Sequence, residues 1–111
     1  PVMVMVDYEI AQNDVHEFLE IMSQRRRIRI RDGAQQWALL LDLHQPEHWS
    51  ESYLVPTWGE YVRHNERRTN SDADLSARLG DLRCGSGSPK VHRMIERQAV
   101  HLHDDMQQKG V

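Results

Sequence analysis

Residues 2–10, VMVMVDYEI, alternate in period two and place Val2, Val4, Val6, Tyr8 and Ile10 on one face. Alternation carried by β-branched and aromatic residues predicts a half-buried strand. The period then changes. From about residue 14 to residue 31, Val15, Phe18, Leu19 and Met22 recur at i, i+3, i+4 and i+7, the stripe of an amphipathic helix. Asn13 or Asp14 offers a cap at its start, and Gly33 suits its end. QWALLLDL (36–43) and HWSESYLV (48–55) read as two more strands, and the short HQPEH between them predicts an antiparallel hairpin. Pro56 stops the third strand, and Thr57 can cap a helix over 58–68. A further helix over 70–82, capped by Asn70 or Ser71, turns Leu75, Leu79 and Leu82 inward. CGSGSP is a loop, KVHRMIER (90–97) is the last strand, and the polar residues 98–111 form a tail.

The order β-α-β-β-α-α-β predicts an α+β, ferredoxin-like domain over residues 1–97, a split β-α-β with a four-stranded antiparallel sheet. Helices on one face of such a sheet leave the other to water, where polar residues belong. Here that second face carries Met3, Met5, Ala38, Leu40, Leu54 and Met94. The chain has no further layer to cover them, so a second copy is expected to do so. Two sheets face to face make a homodimeric α/β barrel.

Composition narrows the class. A chain of 111 residues, 39% apolar and 28% charged, suits one folded domain and neither disorder nor a membrane interior. No apolar run nears the roughly 20 residues of a membrane span. The single Cys84 suits a reducing cytoplasm, and a net charge of −3 argues against a nucleic-acid partner. The local exception is RRRIRIR, with Arg25, Arg26, Arg27, Arg29 and Arg31. Acidic residues precede these arginines, the order that a helix dipole favours. The cluster reads as a solvated basic helix end, with contact to anionic lipid or a partner as the alternative.

Candidate chemistry is sparse. No nucleophile elbow, phosphate loop, zinc-finger spacing or dinucleotide fingerprint is present. His44 and His48 flank Pro46, and His101 with His103 offers two ligands at most, so no metal site is assigned. His92 falls on the dimer-side face as a hydrogen-bonded interface residue. Pro1 raises, weakly, the N-terminal proline base of tautomerases.

PVMVMVDYEI, RRRIRIRDGAQQWALLLDL, SYLVPTWGEYVRHNERRT and PKVHRMI together resemble the soluble C-terminal domain of transmembrane secretion effectors, major-facilitator exporters related to the enterobactin exporter. The likeness spans roughly residues 1 to 96, and that domain is similar to antibiotic-biosynthesis and haem-degrading monooxygenases of the dimeric α/β barrel superfamily. With no transmembrane part here, the chain is expected to be an excised domain or a free-standing relative, cytoplasmic or at the inner face of a membrane. The resemblance implies a dimer with a cavity between sheet and helices in each subunit. It also implies site residues: Trp58 near the hairpin's end, His64 on the following helix, and Tyr8 on the first strand. Haem-degrading members carry asparagine where Tyr8 stands, so neither haem nor any other cofactor is expected.

Two functions follow. One is a non-catalytic accessory domain that dimerises or binds a small apolar or aromatic ligand, with Trp37, Trp49 and Tyr53 as lining residues. The other is a cofactor-independent monooxygenase acting on a polycyclic phenol or quinone-like substrate. It needs only a base near neutrality such as His64, and an apolar pocket open to oxygen. An open cavity reached by His64 separates these from a space packed solid by tryptophans.

Overall fold

The structure is a computed structural model that describes residues 1–66, 70–82 and 89–99. Expectations for the 84–89 loop, for the side chains of Asn70 and Ser71, and for the tail beyond Ala99 with His101 and His103 lie mostly or wholly outside the described residues. Among the described residues four strands and three helices follow in the order β1 (Val2–Glu9), α1 (Val15–Arg31), β2 (Gln35–Leu41), β3 (His48–Val55), α2 (Trp58–Glu66), α3 (Asn70–Leu82) and β4 (Lys90–Ile95). The sheet runs β2-β3-β1-β4, with every pair antiparallel. This is the ferredoxin-like α+β arrangement.

β1 lies inside the sheet because both its edges are paired. Val4 stands opposite Tyr53 on one side and Arg93 on the other. Its alternation is realised: Val2, Val4, Val6, Tyr8 and Ile10 are buried under the helices. Phe18, Ile21 and Met22 of α1 close over them, and Phe18 packs between Tyr8 and Trp49, 5.5 and 5.4 Å between ring centroids. Each such side chain contributes about 1.5–3 kcal/mol by leaving water. The apolar stripe of α1 is therefore Phe18, Ile21 and Met22. Leu19, included in the stripe expected from sequence, is exposed at the flank of that face.

The start of α1 also differs from expectation. A single 3-10 turn, Gln12–Asp14, precedes it, and Asp14 makes no side-chain capping bond. The end is as the glycine implies. Gly33 has φ +102°, its N–H donates to the Ile30 carbonyl, and the Ala34 N–H donates to Arg29. This double closure satisfies carbonyls the last turn leaves open, and glycine takes that backbone region without strain.

β2 stops at Leu41, two residues earlier than the alternation suggested, and Leu43 is almost fully exposed. Near its start Gln36 has φ +51°, and Gln36 with Trp37 spans one position of β3, between the pairs Gln35–Leu54 and Ala38–Ser52. The bulge keeps Trp37 on the helix side of the sheet. Thr57 caps α2, its Oγ1 accepting from the Glu60 N–H at 3.1 Å. Leu75, Leu79 and Leu82 of α3 are buried as expected, and α3 packs beside α1. The open sheet face presents Met3, Met5, Ala38 and Leu54 half-buried and Leu40 and Met94 exposed.

Candidate functional site: a cavity over a buried carboxylate

On the helix side of β3 the alternation runs Trp49, Glu51, Tyr53, Val55. Three of these are aromatic or aliphatic. The fourth is a carboxylate with no exposed side-chain surface. Burying an ion is costly unless its charge and lone pairs are met. Arg29 Nε and Nη2 donate to the two oxygens at 3.0 and 3.4 Å, a forked contact. Trp37 Nε1 donates at 2.8 Å and the Tyr8 hydroxyl at 3.1 Å. Arg25 Nε stands 3.8 Å away as a second ion-pair partner. Four hydrogen bonds match the roughly four acceptor positions of a carboxylate.

The electrostatics follow from that geometry. Burial works against ionisation of Glu51, but the Arg29 charge and hydrogen bonds, with Arg25 and Trp37, outweigh it and hold the carboxyl below its ordinary range. Burial, reinforced by the neighbouring Glu51 charge, pushes the Tyr8 phenol far above its ordinary range. Tyr8 is thus a fixed hydrogen-bond donor and no base near neutrality. Burial also raises Tyr53, whose ring lies under the Arg29 guanidinium at 4.8 Å, although that cation pulls the other way.

The expected solvated arginine cluster is therefore only half right. Arg26 and Arg27 are exposed, and Arg31 pairs with Asp32 at 2.9 Å and Asp72 at 3.8 Å. Arg25 and Arg29, one turn apart, point inward because they continue the face of Phe18, Ile21 and Met22.

Beside this network a cavity of about 530 Å³ opens between the sheet and the three helices. It exists because α3 packs on α1 while the helix-facing side of β4 stays open, with Val91 and Ile95 exposed. Val4, Val6 and Val91 form its sheet side and Ile28, Leu75 and Leu79 its helix side. Tyr8, Tyr53 and His64 reach it, so the structure brings one expected lining residue and two expected site residues to one space. His64 lies against the end of α1, where a Cβ on Gly33 would come within 3.2 Å of its Nε2.

The other expected site residues are elsewhere. Trp58 is 51% exposed and stacks on Tyr61 at 5.2 Å, outside the cavity. Helix geometry explains the divergence, since six residues at about 100° each turn His64 away from Trp58. Trp37 and Trp49 pack against the core outside the cavity, and the buried Trp49 Nε1 makes no hydrogen bond. Arg25, Arg29 and Glu51, which organise the site, were not among the expected residues. Their signal was present as positions 25 and 29 on one helix face and 51 on a buried strand face.

Among the described residues no three His, Cys, Asp or Glu side chains gather as a metal site requires. His44 is held in the β2–β3 connection, where its N–H donates to Asp42 at 2.7 Å, and His48 pairs with Glu9 at 3.3 Å. His92, on the open face, meets Asp7 at 2.9 Å, and Ser50 donates to the same carboxylate at 2.8 Å.

Known structures share this fold. A conserved protein from Methanosarcina mazei superposes with a TM-score of 0.74 at 11% identity, covering 86% of this chain and 92% of its own. An antibiotic biosynthesis monooxygenase gives 0.73 at 13% identity, covering 88% of this chain and 100% of its own. SnoaB, a cofactor-independent oxygenase from Streptomyces nogalater, gives 0.72 at 12% identity, covering 89% and 95%. At such identities the likeness establishes the fold. No curated protein matches by sequence. No helix among the described residues is long and apolar enough to cross a membrane. Residues 1–100 do match one family over nearly the whole chain, and on that match the chain belongs to the transmembrane secretion effectors.

Proposed function

We propose that the domain binds a small aromatic ligand in the cavity between its sheet and helices, as an accessory domain in the setting of a secretion effector. The cavity itself carries this reading. Its volume of about 530 Å³ lies within the range of small-molecule sites, and apolar walls with a few convergent polar groups are their usual lining. Its aromatic wall, Tyr8, Tyr53 and Tyr61, favours flat rings. The exposed apolar face with Met94 and Leu40 favours a homodimer built sheet to sheet.

A second reading, a cofactor-independent monooxygenase on a polycyclic phenol, is favoured by one observation: His64 borders the cavity. A histidine there can take the phenolic proton and leave an electron-rich anion for oxygen. SnoaB, with the same fold, is a cofactor-independent oxygenase. Thermal-shift titration with polycyclic phenols tests the first reading. Val91→Trp, which fills the cavity from an exposed strand position, should abolish a shift seen in the native chain. A shift that survives this change places the ligand elsewhere. Oxygen uptake with the same phenols tests the second, and uptake lost in His64→Ala makes the domain an enzyme.

A further inference from the structure

The charges around the cavity do not balance, and the imbalance has a direction. Three guanidiniums line it, those of Arg25, Arg29 and Arg93. Arg25 and Arg29 share the single carboxylate of Glu51. Asp32 and Asp72 also reach the cavity and share Arg31, so their extra negative charge offsets the extra positive charge of Arg25 and Arg29 and leaves the excess on Arg93. Arg93 has no carboxylate partner among the described residues. It is held instead by neutral groups, donating to the Tyr61 hydroxyl and lying 5.3 Å over the Tyr61 ring. Tyr61 is itself buried and braced by Trp58, so Arg93 is positioned before any ligand arrives. Deeper in, Arg25 donates to Ser76 at 3.3 Å, while its buried Nε makes no hydrogen bond.

Resting on the reading of the cavity as a ligand site, we infer that it selects an aromatic carboxylate. The ring lies along the wall of Tyr53 and Tyr61, and the carboxylate meets Arg93 at the open edge beside β4. The fork of a guanidinium matches two carboxylate oxygens in one plane, which a lysine or a neutral donor does not. Neutral rings of equal size lack this ion pair. An acid group therefore decides which aromatic molecules enter.

Isothermal titration near neutral pH compares 2-naphthoate with the neutral 2-naphthamide, in the native chain, in Arg93→Gln and in Arg93→Lys. Arg93 is exposed, so the native chain should bind the acid about two- to fivefold more tightly than the amide, the range of an ion pair open to water. Arg93→Gln should weaken the acid more than the amide and so bring the two affinities together. Arg93→Lys, which keeps the charge and loses the fork, should retain part of the preference. Equal affinities in the native chain, or a full preference surviving in Arg93→Gln, overturn the inference and leave the cavity a site for neutral rings. Failure of both compounds to bind removes the ligand site itself, and the selectivity with it.

Discussion

Truncating Glu51 to alanine is the sharpest perturbation of this fold. The change leaves Arg29 Nε and Nη2, Trp37 Nε1 and the Tyr8 hydroxyl without their acceptor. It also leaves two guanidiniums without a counter-charge, their side chains only 15% and 20% exposed. Breaking a fully buried ion pair from one side costs about 3–5 kcal/mol. Partial access of water to the arginines favours the lower end, about 3 kcal/mol. For a domain of this size that is a fall in Tm of about 12 °C. Glu51→Gln, which keeps an acceptor and loses the charge, should lose less. Replacing both partners, Glu51→Leu with Arg29→Met, should recover much of the loss, because the cost lies in the unpaired charge. Calorimetry or urea unfolding of the four chains measures this. A loss below about 1 kcal/mol for Glu51→Ala, the value of an exposed pair, would refute the buried network.

Three further outcomes follow from the same geometry. The folded pKa of Glu51 lies below its unfolded value, so its contribution is complete above an unfolded pKa of about 4.3 and is lost as pH falls through the lower folded value. Urea midpoints at about pH 7 and about pH 3 should therefore differ more for the native chain than for Glu51→Gln. Gly33→Ala forces a Cβ into φ +102° and to within 3.2 Å of His64 Nε2, and should cost about 1–2 kcal/mol by thermal unfolding, with an unchanged Tm as the contrary result. Leu40→Asp puts an unpaired charge on the open sheet face, and sedimentation should show the native chain as a dimer at micromolar concentration and the variant as a monomer, whereas a native monomer rejects that interface.

Most of the architecture is written in periodicity. The alternation of Val2, Val4, Val6 and Tyr8 states both that β1 is a strand and which face is buried, because a one-residue slip in register would turn the set outward. Thr57, Gly33 and Pro56 mark ends through local chemistry, and those ends are where they indicate. The inward arginines were less legible. A run of five arginines near a helix end reads as solvated when taken as composition. Taken by helical position, Arg25 and Arg29 continue the buried stripe and Arg26 and Arg27 do not. Glu51 is similar, occupying a buried position of a strand and needing partners from α1, β1 and β2 that only the fold assembles. Trp58, a site residue by resemblance, lies outside the cavity for a different reason: its neighbour Tyr61 is buried in the layer, while Trp58 stacks on it from the exposed side.

The account turns on whether the sheet–helix cavity takes a ligand at all. Amide chemical-shift mapping of the labelled domain titrated with 2-naphthoate reads this directly. The account predicts saturable shifts clustered at Tyr8, Tyr53, Tyr61, His64 and Val91, the residues around the cavity. Shifts confined to Met3, Leu40, Leu54 and Met94 on the open face, or no saturable shifts, would contradict it.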